Sequence, residues 1–177
     1  LVRGPNGVEG ELFFQKHADK LRIPGVRSLD TALWPEHEPL LEVPSATALV
    51  AAAQMNVIEF HTWNARVRRI ERPDRVIFDL DPGPGVGMAQ LCEVARAIRV
   101  LLESIGLTAY PLTSGSAGVH LYAPLDKRVS SRGASTLAKR IALQLEKDMP
   151  ATVTASMSKT ARTGRVLVDW SQNSAAK

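Results

Sequence analysis

The stretch that most constrains this chain is Arg75 to Gly85, RVIFDLDPGPG. Val76, Ile77 and Phe78 are apolar and β-favouring, and they predict a buried strand. Two aspartates one residue apart follow, and then a Pro-Gly-Pro-Gly turn that must end the strand. Side chains on a strand alternate faces, so Asp79 and Asp81 point the same way as Ile77. Adjacent carboxylates repel, and both stay ionised only when positive charge sits between them. A divalent ion with a preference for oxygen ligands, Mg²⁺ or Mn²⁺, meets that need. The competing reading is a solvated pair of turn-capping aspartates, which the apolar run before them argues against.

Composition bounds the rest. A chain of 177 residues can bury one good core and a small second lobe. Its net charge of +4 permits a polyanionic partner. Cys92 is the only cysteine, which excludes an internal disulfide and a cysteine-rich zinc site and suits a reducing compartment. No apolar run has the length of a membrane span, and no signal peptide opens the chain, so a cytoplasmic setting is expected. The first residue is Leu1, and the chain reads as a fragment of something longer.

Residues 1–44 read as irregular and proline-punctuated, with Phe13 and Phe14 beside Lys16 and His17. An aromatic pair flanked by cations can stack on bases while the cations meet phosphate. The alternative is one phenylalanine in the core and the other under a loop. Ser45 is the expected N-cap of an alanine-rich helix, and a short strand over 57–60 leads to His61. Arg66, Arg68, Arg69, Arg72 and Arg75 form either a solvated face or a phosphate-tracking surface. Pro73-Asp74 is the expected lobe boundary. After the strand at 75–81, a helix is predicted over 88–105, with Gly106 at its C-terminus. Strands at 108–113 and 119–123 flank the turn at 114–118, and a second helix runs from about 135 to 147. A short strand at 152–156 and a last strand at 165–170 complete the chain.

The order strand, helix, strand, strand, helix, strand is that of a ferredoxin-like, RRM-like βαββαβ core. In that topology the first strand is central, between the third and the last. Parity then sets His120 and Tyr122 on one face of the third strand, and Leu167 and Asp169 on one face of the last. If those faces coincide with that of Asp79, three carboxylates and a histidine converge, whereas a one-residue slip would scatter them. Ser114, Gly115 and Gly118 belong to a small-residue turn that can cradle phosphate through backbone N–H groups, and His120 follows it. Most such turns are only turns.

Taken together, DLD, SGSAGVH at 114–120 and VLVD at 166–169 resemble the archaeo-eukaryotic primase superfamily. More narrowly, the chain resembles the polymerase domain of bacterial DNA ligase D and its stand-alone relatives. RGPNG at 3–7, FFQKH at 13–17, FHTWNA at 60–65, RPDRVIFDLDPG at 72–83 and DWSQN at 169–173 extend the likeness over nearly the whole chain. The resemblance implies an α+β primase-type fold, with an N-terminal lobe over 1–72 and a catalytic core over 73–177, the family domain extending past both ends. It implies a repair primase-polymerase of non-homologous end joining that adds ribo- or deoxyribonucleotides to DNA ends and gaps, with ribonucleotides preferred. Asp79, Asp81 and Asp169 would hold two Mn²⁺ or Mg²⁺ ions. His61, Ser114, Gly115, Gly118 and His120 would hold the nucleotide, with Lys159 and Arg165 near the triphosphate or template. Phe13, Phe14, Lys16 and His17 would meet template DNA. Ku and a DNA ligase are the implied partners, in the nucleoid, with no membrane. Some relatives carry lysine where this chain has Ala117.

Two other classes compete. Haloacid dehalogenase-like phosphatases also end an apolar strand in DxD, but on a parallel sheet and normally with Thr or Val where this chain has Gly83. A non-catalytic nucleic-acid-binding module on the same core would explain the basic charge but not three aspartates, which repel a phosphate backbone.

Overall fold

The computed structural model describes residues 1–17, 22–113, 117–126 and 128–175. The chain divides into two compact units, Leu1–Thr62 and Trp63–Lys177. In the first, β1 (Val2–Arg3) lies between β2 (Phe13–Phe14) and β5 (Val57–Glu59), antiparallel to both. A second pair joins β3 (Arg27–Ser28) to β4 (Leu41–Glu42). Helix α1 (Ala46–Gln54) starts as expected: Ser45 Oγ accepts from the Ala48 N–H at 3.2 Å. Ala52 packs with Ile23 and Val57 in a small core. Arg3 is buried because its guanidinium is satisfied. It donates to Met55 O at 2.9 Å and Gln15 Oε1 at 3.0 Å, and lies over the Phe13 ring.

The second unit carries β6 (Arg75–Pro82), α2 (Met88–Ser104), β7 (Tyr110–Thr113), β8 (Val119–Pro124), α3 (Ser131–Asp148), β9 (Val153–Thr154) and β10 (Val166–Asp169). Its five strands are ordered β7-β8-β6-β10-β9. The expected βαββαβ core is present, with β6 central and antiparallel to both neighbours. That removes the phosphatase reading, which needs a parallel sheet. Along β6, Val76, Phe78 and Leu80 are fully buried against α2 and α3. Phe78 alone should cost about 3–5 kcal/mol to truncate to alanine. The opposite face of β6 carries Arg75, Ile77, Asp79 and Asp81. Helices α2 and α3 cover the Val76 face; on the opposite face Ile77 and Leu167 are buried, while Asp79, Asp81 and His120 remain partly accessible.

Two boundaries differ from the sequence reading. Helix α2 ends where Gly106 predicts, with Gly106 at φ +79°. The Leu107 N–H returns to Leu102 O and the Gly106 N–H to Glu103 O, the paired bonds of a Schellman motif. Helix α3, however, begins at Ser131, earlier than expected. Ser130 caps it by accepting from the Gly133 N–H at 3.1 Å, and the glycine in the first turn hid that start. Residues 63–72, read as part of the first lobe, make their ties inside the second unit. Asp74 N–H donates to Asn64 O, Ser131 N–H to Glu71 O, and Arg75 to Trp63 O. These are long-range bonds to β6 and α3 that local composition does not announce.

Candidate active site

The sheet register gathers the acidic row. Asp79 is paired with His120 on β8 and with Asp169 on β10. Asp81, two residues on and therefore on the same face, is paired with Leu167. His120 Nε2 lies 3.2 Å from Asp79 Oδ1. Asp169 is oriented by the chain that follows it, accepting from the Ser171 N–H at 2.7 Å. Gln172 Nε2 reaches both carboxylates, 3.3 Å from Asp169 Oδ2 and 3.5 Å from Asp79 Oδ2.

Charge is only partly compensated in this row. The Asp79 carboxyl is pushed up to about 6 from 3.8. Burial is the main cause, and Asp81 and Asp169 add repulsion. His120 and the Gln172 amide pull the other way. Oxygen donors side by side with excess negative charge fit a hard divalent cation. Among the described residues, no three His, Cys, Asp or Glu side chains are already gathered closely enough to hold one. Asp79 and Asp169 are instead spanned by the Gln172 amide, so closing on an ion requires side-chain rotation.

The turn after the aspartates explains its own glycine. A Cβ on Gly83 would lie 1.7 Å from Arg162 O and 2.8 Å from Arg165 O, so nothing larger fits. The Gly83 N–H donates to Arg165 O at 3.0 Å. This close approach brings the 3-10 turn Thr160–Arg162 against the carboxylates. Arg162 Nη1 lies 3.8 Å from Asp81 Oδ2, and Arg162 Nη2 donates to Met157 O. Its Nε is buried without a hydrogen-bond partner. The sequence reading named Lys159 and Arg165 in this segment and missed Arg162. Lys159 is exposed at the head of the turn, and Arg165 is half-buried just before β10. The missed signal was spacing: Arg162 is on the side of the turn that meets Gly83.

Gly118 also sits against β6. A Cβ there would fall 2.8 Å from Leu80 O and 3.7 Å from Asp81 Oδ1, which leaves bare backbone beside the carboxylate. Ser114 and Gly115 lie outside the described residues. The remaining expected residues belong to the first unit. His61 is exposed, with Nε2 3.0 Å from Glu59 Oε2 and its ring 5.1 Å from that of Phe14, tilted at 59°. Phe14 is 61% exposed and Phe13 is half-buried, so neither is the core residue the alternative reading required. Lys16 is exposed, whereas His17 is held by Pro39 O at 3.0 Å and by Glu38 at 3.2 Å.

One residue of the tail holds the site together. Asn173 is buried, accepts from the Ile77 N–H at 2.8 Å and donates to Ile77 O at 2.7 Å and Trp170 O at 2.9 Å. Its amide replaces a strand partner for β6 just where β10 has ended, and so fixes Gln172 beside the acidic row.

The family described as "LigD, primase-polymerase domain" matches residues 1–177. The multifunctional non-homologous end joining protein LigD of Pseudomonas aeruginosa is 47% identical over 174 residues, 98% of this chain and 21% of that protein. The corresponding LigD protein of Mycobacterium tuberculosis is 47% identical over 187 residues, 99% of this chain and 24% of that protein. The chain therefore spans about a fifth to a quarter of the length of these relatives. The solved polymerase domain of M. tuberculosis ligase D, in complex with DNA, superposes with a TM-score of 0.88 at 46% identity. That match covers 99% of this chain and 64% of the solved one. By its acidic row, its primase-type fold and these likenesses, the chain belongs to the LigD primase-polymerase domain family.

Proposed function

We propose that this domain transfers nucleotides to DNA ends and gaps during non-homologous end joining, by two-metal nucleotidyl transfer. The observation that carries the reading is the pairing of Asp79 with Asp169 across β6 and β10, with Asp81 on the same face. Two Mn²⁺ or Mg²⁺ ions, when bound, would neutralise the charge that develops on the attacking and leaving oxygens. Asp79, Asp81 and Asp169 are the residues whose oxygens would hold them. The Gln172 amide would then release the carboxylates it spans. His120 would orient Asp79 and reach a phosphate oxygen. Arg162, whose guanidinium lies 3.8 Å from Asp81, would take a triphosphate oxygen, and Lys159 and Arg165 would add charge nearby. Gly118, with Ser114 and Gly115, would let the nucleotide approach the backbone. In the first unit, Phe14 and His61 form a ring pair suited to stacking on a base, with Phe13, Lys16 and His17 on the same segment. Template DNA is the ligand that set would take, and Ku and a DNA ligase are the partners of the intact protein, acting at the nucleoid. Among the described residues no helix is long and apolar enough to cross a membrane.

The test is primer extension by the complete protein with Mn²⁺ on gapped, overhanging and blunt DNA. The parent should add nucleotides, and Asp79→Asn and Asp81→Asn should reduce addition by at least about a thousand-fold, as loss of transition-state charge stabilisation would. Unchanged addition by either variant would contradict the two-metal reading, and DNA binding without any addition by the parent would favour a nucleic-acid-binding module instead.

A further inference from the structure

Along β6, away from the acidic row, groups suited to a polynucleotide follow one another. One step along is the row of Ile77, Tyr122 and Tyr110, which are paired across β6, β8 and β7. Paired residues on antiparallel strands share a face, so the two tyrosines lie side by side. Tyr110 is 56% exposed. Two aromatic rings on one face of such a sheet form a stacking platform for bases. Beyond them, the Arg75 guanidinium lies 5.5 Å from the Tyr122 ring centroid and donates to Asp74 at 3.2 Å. Asp74 in turn borders an open cleft of about 640 Å³ lined by Arg66, Arg68, Arg69 and Arg72. Arg68 and Arg69 are exposed, and Arg66 lies 3.7 Å from Asp74.

Acidic row, aromatic pair and arginine cleft therefore succeed one another along β6. We infer that this path carries the acceptor strand: its 3′ end at the acidic row, its first bases on Tyr122 and Tyr110, and a backbone phosphate in the arginine cleft. The inference rests on the proposed nucleotidyl transfer for the position of the strand end. At about 3.3 Å per residue, the five residues from Asp79 to Asp74 span roughly 17 Å. A stacked strand advances about 3.4 Å per nucleotide, so the cleft meets the phosphate about four to six nucleotides from the 3′ end. Arginine suits that role, because its planar fork grips phosphate while staying charged. Acidic peptides would also suit the charge, but the aromatic pair leading into the cleft favours a polynucleotide.

The test places a single neutral methylphosphonate at each of positions one to eight from the 3′ end of the acceptor strand. Binding of each duplex to the complete protein is measured by fluorescence anisotropy. In the parent, neutralising positions four to six should weaken binding about three- to ten-fold. In Arg68→Gln/Arg69→Gln that positional loss should vanish, and the slope of log affinity against log salt should shrink by about one per arginine. Both arginines are exposed, and an unchanged melting temperature verifies the fold of the variant. Equal sensitivity at all positions, sensitivity confined to the template strand, or a variant that keeps the parent's positional loss overturns the inference. If the parent adds no nucleotide at all, it is the proposed function that fails.

Discussion

At the scale of single residues, Asp79 reports the state of the site. Its carboxyl is raised to about 6, so the folded chain holds that proton more tightly than the unfolded chain does. Between about pH 4 and 6 the native state binds more protons, and stability falls as pH rises through that window. With chelator present, Asp79→Asn should match the parent near pH 3.5, below the ordinary carboxyl value of 3.8. It should exceed the parent by about 1–2 kcal/mol at pH 7.5, allowing for solvent screening. Urea unfolding at the two pH values measures this, and a variant advantage that is the same at both would contradict it. Arg162 makes the second residue-scale prediction. If its guanidinium takes a triphosphate oxygen beside Asp81, Arg162→Ala should raise the nucleotide KM about ten-fold or more, in line with loss of a charge-assisted bond. An unchanged KM in steady-state incorporation would assign Arg162 to Asp81 alone. The carboxylates were legible in the sequence because an apolar run ending in DLD has few other uses. Arg162 and Gln172 were not, because each reaches the site through a turn whose direction is set by contacts with Gly83 and Ile77.

Secondary-structure elements explain how the row is held. The order of strands and helices fixed β6 as the centre, and alternation then required Asp79, His120 and Asp169 to share a face. The register realises that requirement. What composition did not reveal is the ending of β10. Pairing with β6 stops at Asp169, and the side chain of Asn173 takes over both backbone bonds of Ile77. Asn173→Ala would leave two buried backbone groups unpaired and should cost roughly 2–4 kcal/mol. Thermal or urea unfolding checks this, and a loss under about 0.5 kcal/mol would mean that the ladder does not depend on this amide. The start of α3 and the placement of 63–72 were also hidden, one by a glycine in a helical first turn and the other by ties to distant strands.

In the whole molecule, a basic chain carries an acidic site. The net charge of +4 favours a nucleic-acid partner, while three carboxylates would repel it unless cations intervene. Sugar choice follows from the proposed function: the domain should prefer ribonucleotides by about ten-fold or more. A site built to bond the 2′-hydroxyl leaves a polar group unpaired when the hydroxyl is missing. Single-nucleotide incorporation of matched NTP and dNTP on gapped DNA measures the ratio, and a ratio of one or a dNTP preference would remove that contact. Whether Asp79, Asp81 and Asp169 share divalent cations is tested most directly by Mn²⁺ titration followed by electron paramagnetic resonance. The parent should bind Mn²⁺ with nucleotide present, and Asp81→Asn should weaken that binding at least about ten-fold, as loss of one carboxylate ligand requires. Mn²⁺ affinity identical in the parent and in all three Asp→Asn variants would contradict the account.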